Sequence, residues 1–163
     1  MTSDEKITRQ KAMMLFEQAH DRQRDGEFGD AIALYKQSIA TYPTAEAYTF
    51  LGWTYSMMGR TEEAIAMCHQ AIKADPDYGN PYNDIGAYLI DQEKWKEAIS
   101  WLEKATIAPR YKTRQFPFMN LGRAYQKLGR TQTAMRHYKQ ALLEEPFYLP
   151  ATWAMTSLLG KLN

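Results

Sequence analysis

Residues 48–76 read YTFLGWTYSMMGRTEEAIAMCHQAIKADP, and the rest of the chain restates this stretch. Tyr48, Leu51, Gly52 and Tyr55 recur at offsets of three, four and seven, which puts them on one face of a helix. Gly59 interrupts that helix where a turn residue is needed. A second apolar stripe follows in Ala64, Ile65, Cys68, Ala71 and Ile72, and Pro76 ends it, since proline cannot continue a helix. Two helices joined by so short a turn form an antiparallel hairpin. A single hairpin cannot bury both of its stripes, so it needs copies of itself alongside.

The copies are present. Gly86 follows Gly52 by 34 residues and Gly122 follows Gly86 by 36, while Ala31, Ala64, Ala98 and Ala134 step by 33, 34 and 36. Tyr82, Ile85, Gly86 and Leu89 lead to Ala98, Leu102, Ala105 and Pro109. Phe118, Leu121, Gly122 and Tyr125 lead to Gly129, Ala134, Tyr138, Ala141 and Pro146. A period near 34 with this order of aromatic, Leu-Gly, Tyr, Ala and Pro resembles the tetratricopeptide repeat family over roughly residues 12–163.

That resemblance implies an all-α fold, an α-solenoid of helix-turn-helix repeats wound as a right-handed superhelix. The repeats fall at about 12–44, 45–78, 79–112 and 115–148 of a single array, with a C-terminal capping helix at about 149–161. The first repeat is degenerate: Leu15, Gln18, Ala19 and Arg22 stand where Tyr48, Leu51, Gly52 and Tyr55 stand in the second. Polar Gln18 and Arg22 suit a terminal repeat with one face towards solvent. Thr2 and Glu5 have the spacing of a capping box, so a long first helix is expected from there to about Arg24. Glu93 replaces the turn glycine found at Gly26, Gly59 and Gly129, so that turn must change conformation or strain a non-glycine residue. The connection 110–115 carries two extra residues and is expected to be the most mobile internal segment. The final helix, with Trp153, Met155, Leu158, Leu159 and Leu162, is unusually apolar for a cap.

Composition narrows the function classes. At 163 residues and 45% hydrophobic content the chain has enough apolar material for a folded core. No run approaches the ~18 apolar residues of a membrane span, and the N-terminus lacks a basic-then-apolar signal layout, so a cytoplasmic location is expected. The single cysteine, Cys68, cannot form an intramolecular disulfide and occupies the slot of Tyr35, Leu102 and Tyr138, so it reads as a small buried hydrophobe. His20, His69 and His137 lie in separate repeats without a second ligand at metal spacing, and there is no phosphate loop, nucleophile elbow or paired thiol. No cofactor, metal or catalytic residue is expected. The family resemblance agrees, implying a non-enzymatic module that binds proteins or peptides.

In such arrays the first helix of each pair lines a concave groove. At about 100° per residue, the residue after each leading aromatic points off the buried stripe, and those four and eight further on follow it. The first row so defined is Phe16, Thr49, Asn83, Met119 and Trp153; the second contains His20, Trp53, Ala87 and Arg123; the third contains Arg24, Met57, Asp91 and Lys127. Asn120 and Gln126 border the same surface. Aromatic and Met anchors beside amide and cationic donors suit an extended or helical peptide. Some chaperone-binding family members clamp a C-terminal carboxylate with Lys and Asn from the first groove helix and Lys and Arg from the third. Here Phe16 and His20 hold the first-helix places, so that clamp is not reproduced, while Arg123, Lys127 and Asn120 offer a different arrangement.

Charge is unevenly spread. Residues 1–90 hold 8 Lys and Arg against 13 Asp and Glu, and residues 91–163 hold 12 against 6. From Lys104 to Leu143 there are nine basic residues (Lys104, Arg110, Lys112, Arg114, Arg123, Lys127, Arg130, Arg136 and Lys139) and no acidic one. This surface points to an acidic peptide partner; the alternatives are association with nucleic acid and head-to-tail homo-oligomers of acidic and basic halves. A pI near 7.8 argues against nucleic acid, whose binding domains usually exceed ~9.

Overall fold

The capping box at the start of the chain is formed as its spacing requires. The Glu5 amide donates to Thr2 Oγ1 at 3.2 Å, and the Thr2 amide donates to Glu5 Oε2 at 2.7 Å. This seeds a helix over Ser3–Arg24, its first turn carrying Asp4 and Glu5 against the helix dipole. The structure, a computed structural model, describes residues 1–162, and these form nine helices without a strand. They are α1 (Ser3–Arg24), α2 (Phe28–Thr41), α3 (Ala45–Met57), α4 (Thr61–Ala74), α5 (Asn80–Asp91), α6 (Trp95–Ile107), α7 (Gln115–Lys127), α8 (Thr131–Glu144) and α9 (Leu149–Lys161).

Four tight turns separate the helices within each pair, and all four make the same two hydrogen bonds. In the α3–α4 turn the Gly59 amide donates to Ser56 O at 3.0 Å and the Arg60 amide to Tyr55 O at 2.9 Å. This pattern needs a residue with positive φ, supplied by Gly26 (80°), Gly59 (75°) and Gly129 (75°). The α5–α6 turn keeps the geometry without the glycine. Glu93 sits at φ 60°, with its amide bonded to Ile90 O at 2.9 Å and the Lys94 amide to Leu89 O at 2.8 Å. Of the two outcomes open at that turn, the strained one is realised.

The chain divides into two compact units, Met1–Pro81 and Tyr82–Asn163, with α5 beginning at the junction. In the first, α1 packs on α2, α3 on α4, and α2 on α3. In the second, α6 packs on α7, α7 on α8, and α8 on α9. The four equivalent second-helix residues, Tyr35, Cys68, Leu102 and Tyr138, are at most 1% exposed. Cys68 is the buried small hydrophobe its place in the repeat predicts. Burying a side chain of Leu size fully contributes ~1.5–3 kcal/mol, so these four slots are the main apolar anchors of the hairpins.

The helix-to-helix approach is set by glycine. A Cβ built on Gly86 would lie 2.3 Å from Leu102 Cδ2, one on Gly122 2.3 Å from Tyr138 Cε1, and one on Gly52 2.9 Å from the Ala64 carbonyl oxygen. In α5 and α7 bare backbone therefore touches the partner helix's anchor, and in α3 it meets the backbone of α4.

One connection is held more firmly than its extra length suggests. Segment 110–115 is pinned at two points: Tyr111 is buried with Ala105 and Ala108, with Tyr82 packed on them. Arg114 donates from Nη1 to Thr106 O and from Nη2 to Ala108 O, each at 2.9 Å, satisfying carbonyls at the C-terminal end of α6. The apolar final helix is only half used. Leu158 and Ala151 are buried and Met155 partly so, whereas Trp153, Leu159 and Leu162 remain 66%, 54% and 65% exposed.

Candidate functional site

In the first unit the surface shared by α1 and α3 is aromatic, and its centre is Phe50. The Phe50 ring lies 5.3 Å from Phe16 and 5.3 Å from His20, both edge-on, 6.1 Å from Trp53 and 6.4 Å from Tyr35. Such edge-to-face pairs contribute ~0.5–1.5 kcal/mol each beyond area burial. Phe16 and His20 are half-buried in this cluster, while Trp53 and Met57 present 45% and 48% of their surfaces to solvent. Met57 is seated from below: Gln23 Nε2 reaches its sulfur at 3.9 Å, and Tyr35 donates its hydroxyl to Gln23 Oε1 at 2.6 Å. Beside Phe16 a cleft of about 300 Å³ opens between Ala12, Met13, Ser38 and Thr44, rimmed by Arg9, Glu17 and Glu46. Thr49 does not join this surface; it is buried and donates its hydroxyl to Ala45 O at 2.7 Å. The neighbouring Phe50, which the row pattern passes over, takes its place.

In the second unit the corresponding surface is polar and hydrogen-bonded. Asn120 Nδ2 donates to Asn83 Oδ1 at 3.0 Å, and both amides are 8% exposed. Arg123 Nη1 donates to Asn120 Oδ1 at 3.1 Å, so the exposed guanidinium is held from beneath by a neutral acceptor. Its other terminal nitrogen stands 3.9 Å from Asp91 Oδ1. Lys127 is exposed one turn further along α7. Met119 packs against the Ala134–Tyr138–Leu158 cluster, Trp153 is open, and Ala87 is half-buried. Gln126 is not a free edge residue, because Tyr138 donates its hydroxyl to Gln126 Oε1 at 2.6 Å.

The remaining basic residues lie on several elements, and some of them are engaged. Arg110, Lys112, Arg136 and Lys139 are exposed on the α6–α7 connection and α8. Arg114 is spent on the carbonyls of α6, the Arg130 guanidinium lies 5.8 Å from the Tyr125 ring centroid, and Lys104 Nζ lies 4.6 Å above Trp101. Burial perturbs several groups. It pushes the Tyr138 hydroxyl up to about 12 against an opposing pull from Arg123, and lifts the carboxyl of Asp84, on α5, to about 7 although Asn83 hydrogen-bonds to it. Burial together with neighbouring Arg136 lowers His137, which stacks 5.2 Å from Tyr125 at an angle of 5°. Among the described residues no group of three His, Cys, Asp or Glu side chains is placed to hold a metal ion. None of the described helices is long and apolar enough to cross a membrane.

Comparison with known proteins settles the family. Profiles described as tetratricopeptide repeat match residues 45–78 and 118–146, the repeats that carry the full pattern. This is a tetratricopeptide repeat protein. It is 33% identical over 101 residues to DnaJ homolog subfamily C member 3 of Mus musculus, covering 58% of this chain but 20% of that one. The tetratricopeptide repeat chain therefore spans about a fifth of this relative's length. Its fold is similar to that of pilF from Pseudomonas aeruginosa (TM-score 0.87, 20% identity, 94% of this chain and 70% of that one). It is also similar to YrrB, described as a TPR protein with an unusual peptide-binding site (TM-score 0.71, 14% identity, 89% of this chain and 74% of that one). The fold is thus an all-α helical repeat of the solenoid class, a protein-interaction scaffold.

Proposed function

We propose that this tetratricopeptide repeat protein is a non-enzymatic scaffold that binds a peptide or protein segment on the row faces of its first helices. The observation that carries the reading is the contrast between exposure and support on those faces. Trp53 and Met57 are large apolar side chains left 45% and 48% exposed, yet they are seated by Phe50 and by the Tyr35–Gln23 bond beneath them. Arg123 is likewise exposed and likewise held, through Asn120 and Asn83. Rigid aromatic and cationic anchors on a pre-set surface lose little freedom on binding, which is what makes such residues binding hot spots.

The partner carries acidic character where it meets the second unit. From Tyr82 onward there are 12 Lys and Arg against 7 Asp and Glu, and Arg123 and Lys127 occupy the row face itself. A peptide is favoured over a polynucleotide, because Arg114, Arg130 and Lys104 of the basic run are already engaged by the chain's own carbonyls and rings, which leaves fewer cations for a phosphate backbone. The fold similarity to YrrB, described as having an unusual peptide-binding site, supports this reading.

The test is differential capture from the native host, read by mass spectrometry, with wild type, Trp53→Ala and Arg123→Glu as baits. Each variant is expected to keep wild-type helical circular dichroism and to lose a partner that wild type captures. Undiminished capture by both variants rejects the row faces as the binding surface.

A further inference from the structure

The guanidinium that would receive the partner's anionic group is already faced by a carboxylate of the same unit. We propose that Asp91 is an internal competitor for Arg123, so that an acidic peptide docks there by displacing it. The inference rests on the peptide-binding reading above and assigns one residue a role in setting its affinity.

Arg123 takes its position from Asn120, not from Asp91. Its Nη1 makes a hydrogen bond of 3.1 Å to Asn120 Oδ1, and Asn120 is in turn fixed at 3.0 Å to buried Asn83. The contact to Asp91 is longer. At 3.9 Å between Nη2 and Oδ1 it exceeds a hydrogen bond of ~2.7–3.2 Å, and the two side chains are 44% and 72% exposed. An ion pair so open to water is replaced at small cost. A guanidinium presents five N–H donors in a fixed fork, so one bond to Asn120 leaves donors available for a bidentate carboxylate. Asp91 also ends α5, from a different helix than Arg123, so its removal leaves the Asn83–Asn120–Arg123 relay in place. An acidic side chain at the negative end of a helix dipole is mildly unfavourable to that helix, so Asp91 does not serve to stabilise α5.

The arrangement therefore discriminates among partners. A neutral segment does not displace Asp91, whereas a carboxylate that pairs with Arg123 and gains Lys127 besides does. The experiment uses the full chain and fluorescence anisotropy with a fluorescein-labelled peptide of alternating Glu and Leu, against the same peptide with Gln for Glu. Wild type, Asp91→Asn, Asp91→Ala, Arg123→Gln and the double variant Asp91→Asn/Arg123→Gln are compared at low salt. Both Asp91 variants are expected to bind the acidic peptide about twofold to fivefold more tightly, the span an exposed pair accounts for. Arg123→Gln is expected to weaken binding, and Asp91→Asn to bring no gain in its background. If Arg123→Gln weakens binding and the Asp91 variants do not tighten it, the competitor is refuted while the peptide reading stands. A gain from Asp91→Asn that persists without Arg123 also refutes it, since the effect then reaches the ligand through general charge. Binding indifferent to Arg123, or no binding by any variant, overturns both.

Discussion

Replacing Gly122 by alanine adds one methyl group to α7, and its consequence follows from a single contact. The new Cβ would lie 2.3, 2.4 and 2.8 Å from Cε1, Cδ1 and Cζ of the Tyr138 ring, where carbon atoms prefer ~3.5–4.0 Å. The ring has to retreat by roughly 1 Å, yet Tyr138 is 1% exposed and packed among Ala134, Leu158 and Met119. Overpacking of this kind costs ~1–3 kcal/mol. A displaced ring also strains the 2.6 Å bond from its hydroxyl to Gln126, worth ~1 kcal/mol net. Alanine returns ~0.8–1 kcal/mol through its better helix propensity. The balance is a loss of about 2 kcal/mol. Gly29→Ala is the control, because Gly29 is an exposed residue of α2 with nothing within 4 Å of its virtual Cβ, so only the propensity gain remains. Urea unfolding followed by circular dichroism at 222 nm compares the two with wild type. With a slope of ~1–3 kcal/mol per molar, the Gly122→Ala midpoint falls by about 1 M and that of Gly29→Ala rises by a few tenths. A Gly122→Ala midpoint at or above wild type would show that helix pairs here are not spaced by bare glycine, and would refute the packing argument.

Glu93→Gly relieves a left-handed residue at φ 60° in a turn whose three counterparts are glycine, and is expected to stabilise by about 1 kcal/mol, raising Tm by ~2–4 °C in a thermal melt; an unchanged or lower Tm contradicts strain at that turn. Asp84→Asn tests the buried carboxyl. Its pKa rises from 3.8 when unfolded to about 7 when folded, so the unfolded chain ionises first and stability falls as pH rises between them, levelling above 7. The stability advantage of Asp84→Asn over wild type should therefore grow by about 2–3 kcal/mol between roughly pH 5 and pH 8 in urea titrations, and a difference independent of pH rules out the shift.

The arrangement of the family's residues was legible because it is local and repeated. Leu51 and Gly52, Ile85 and Gly86, and Leu121 and Gly122 announce three hairpins by periodicity alone, and the turn glycines at 26, 59 and 129 mark three of the four reversals within helix pairs, the fourth falling at Glu93. The rows of first-helix residues were legible in outline for the same reason: helical spacing determines which side chains share a face. That spacing is blind to lateral partners. Thr49 belongs to the row by angle, yet its hydroxyl turns to its own helix while Phe50, one residue on, holds the aromatic cluster. Arg114 reads as one more cation in a basic run until the C-terminal end of α6 takes both its nitrogens.

One lateral contact did leave a trace in the chain. Residues twelve apart pair Gln23 with Tyr35 and Gln126 with Tyr138, both joined by 2.6 Å hydrogen bonds, while the other two repeats place Ser56 with Cys68 and Ile90 with Leu102. A buried tyrosine hydroxyl needs an acceptor, so the glutamine appears only where the tyrosine does. The link from Asn83 through Asn120 to Arg123, with Asp91 opposite, has no such trace. Helices, turns and packing anchors can be read from residue order, because these depend on spacing along one chain segment and on the need to hide apolar stripes. Which polar groups on the exposed faces are already committed cannot, because a hydrogen bond of 3 Å between residues 37 apart depends on how one helix is set against the next.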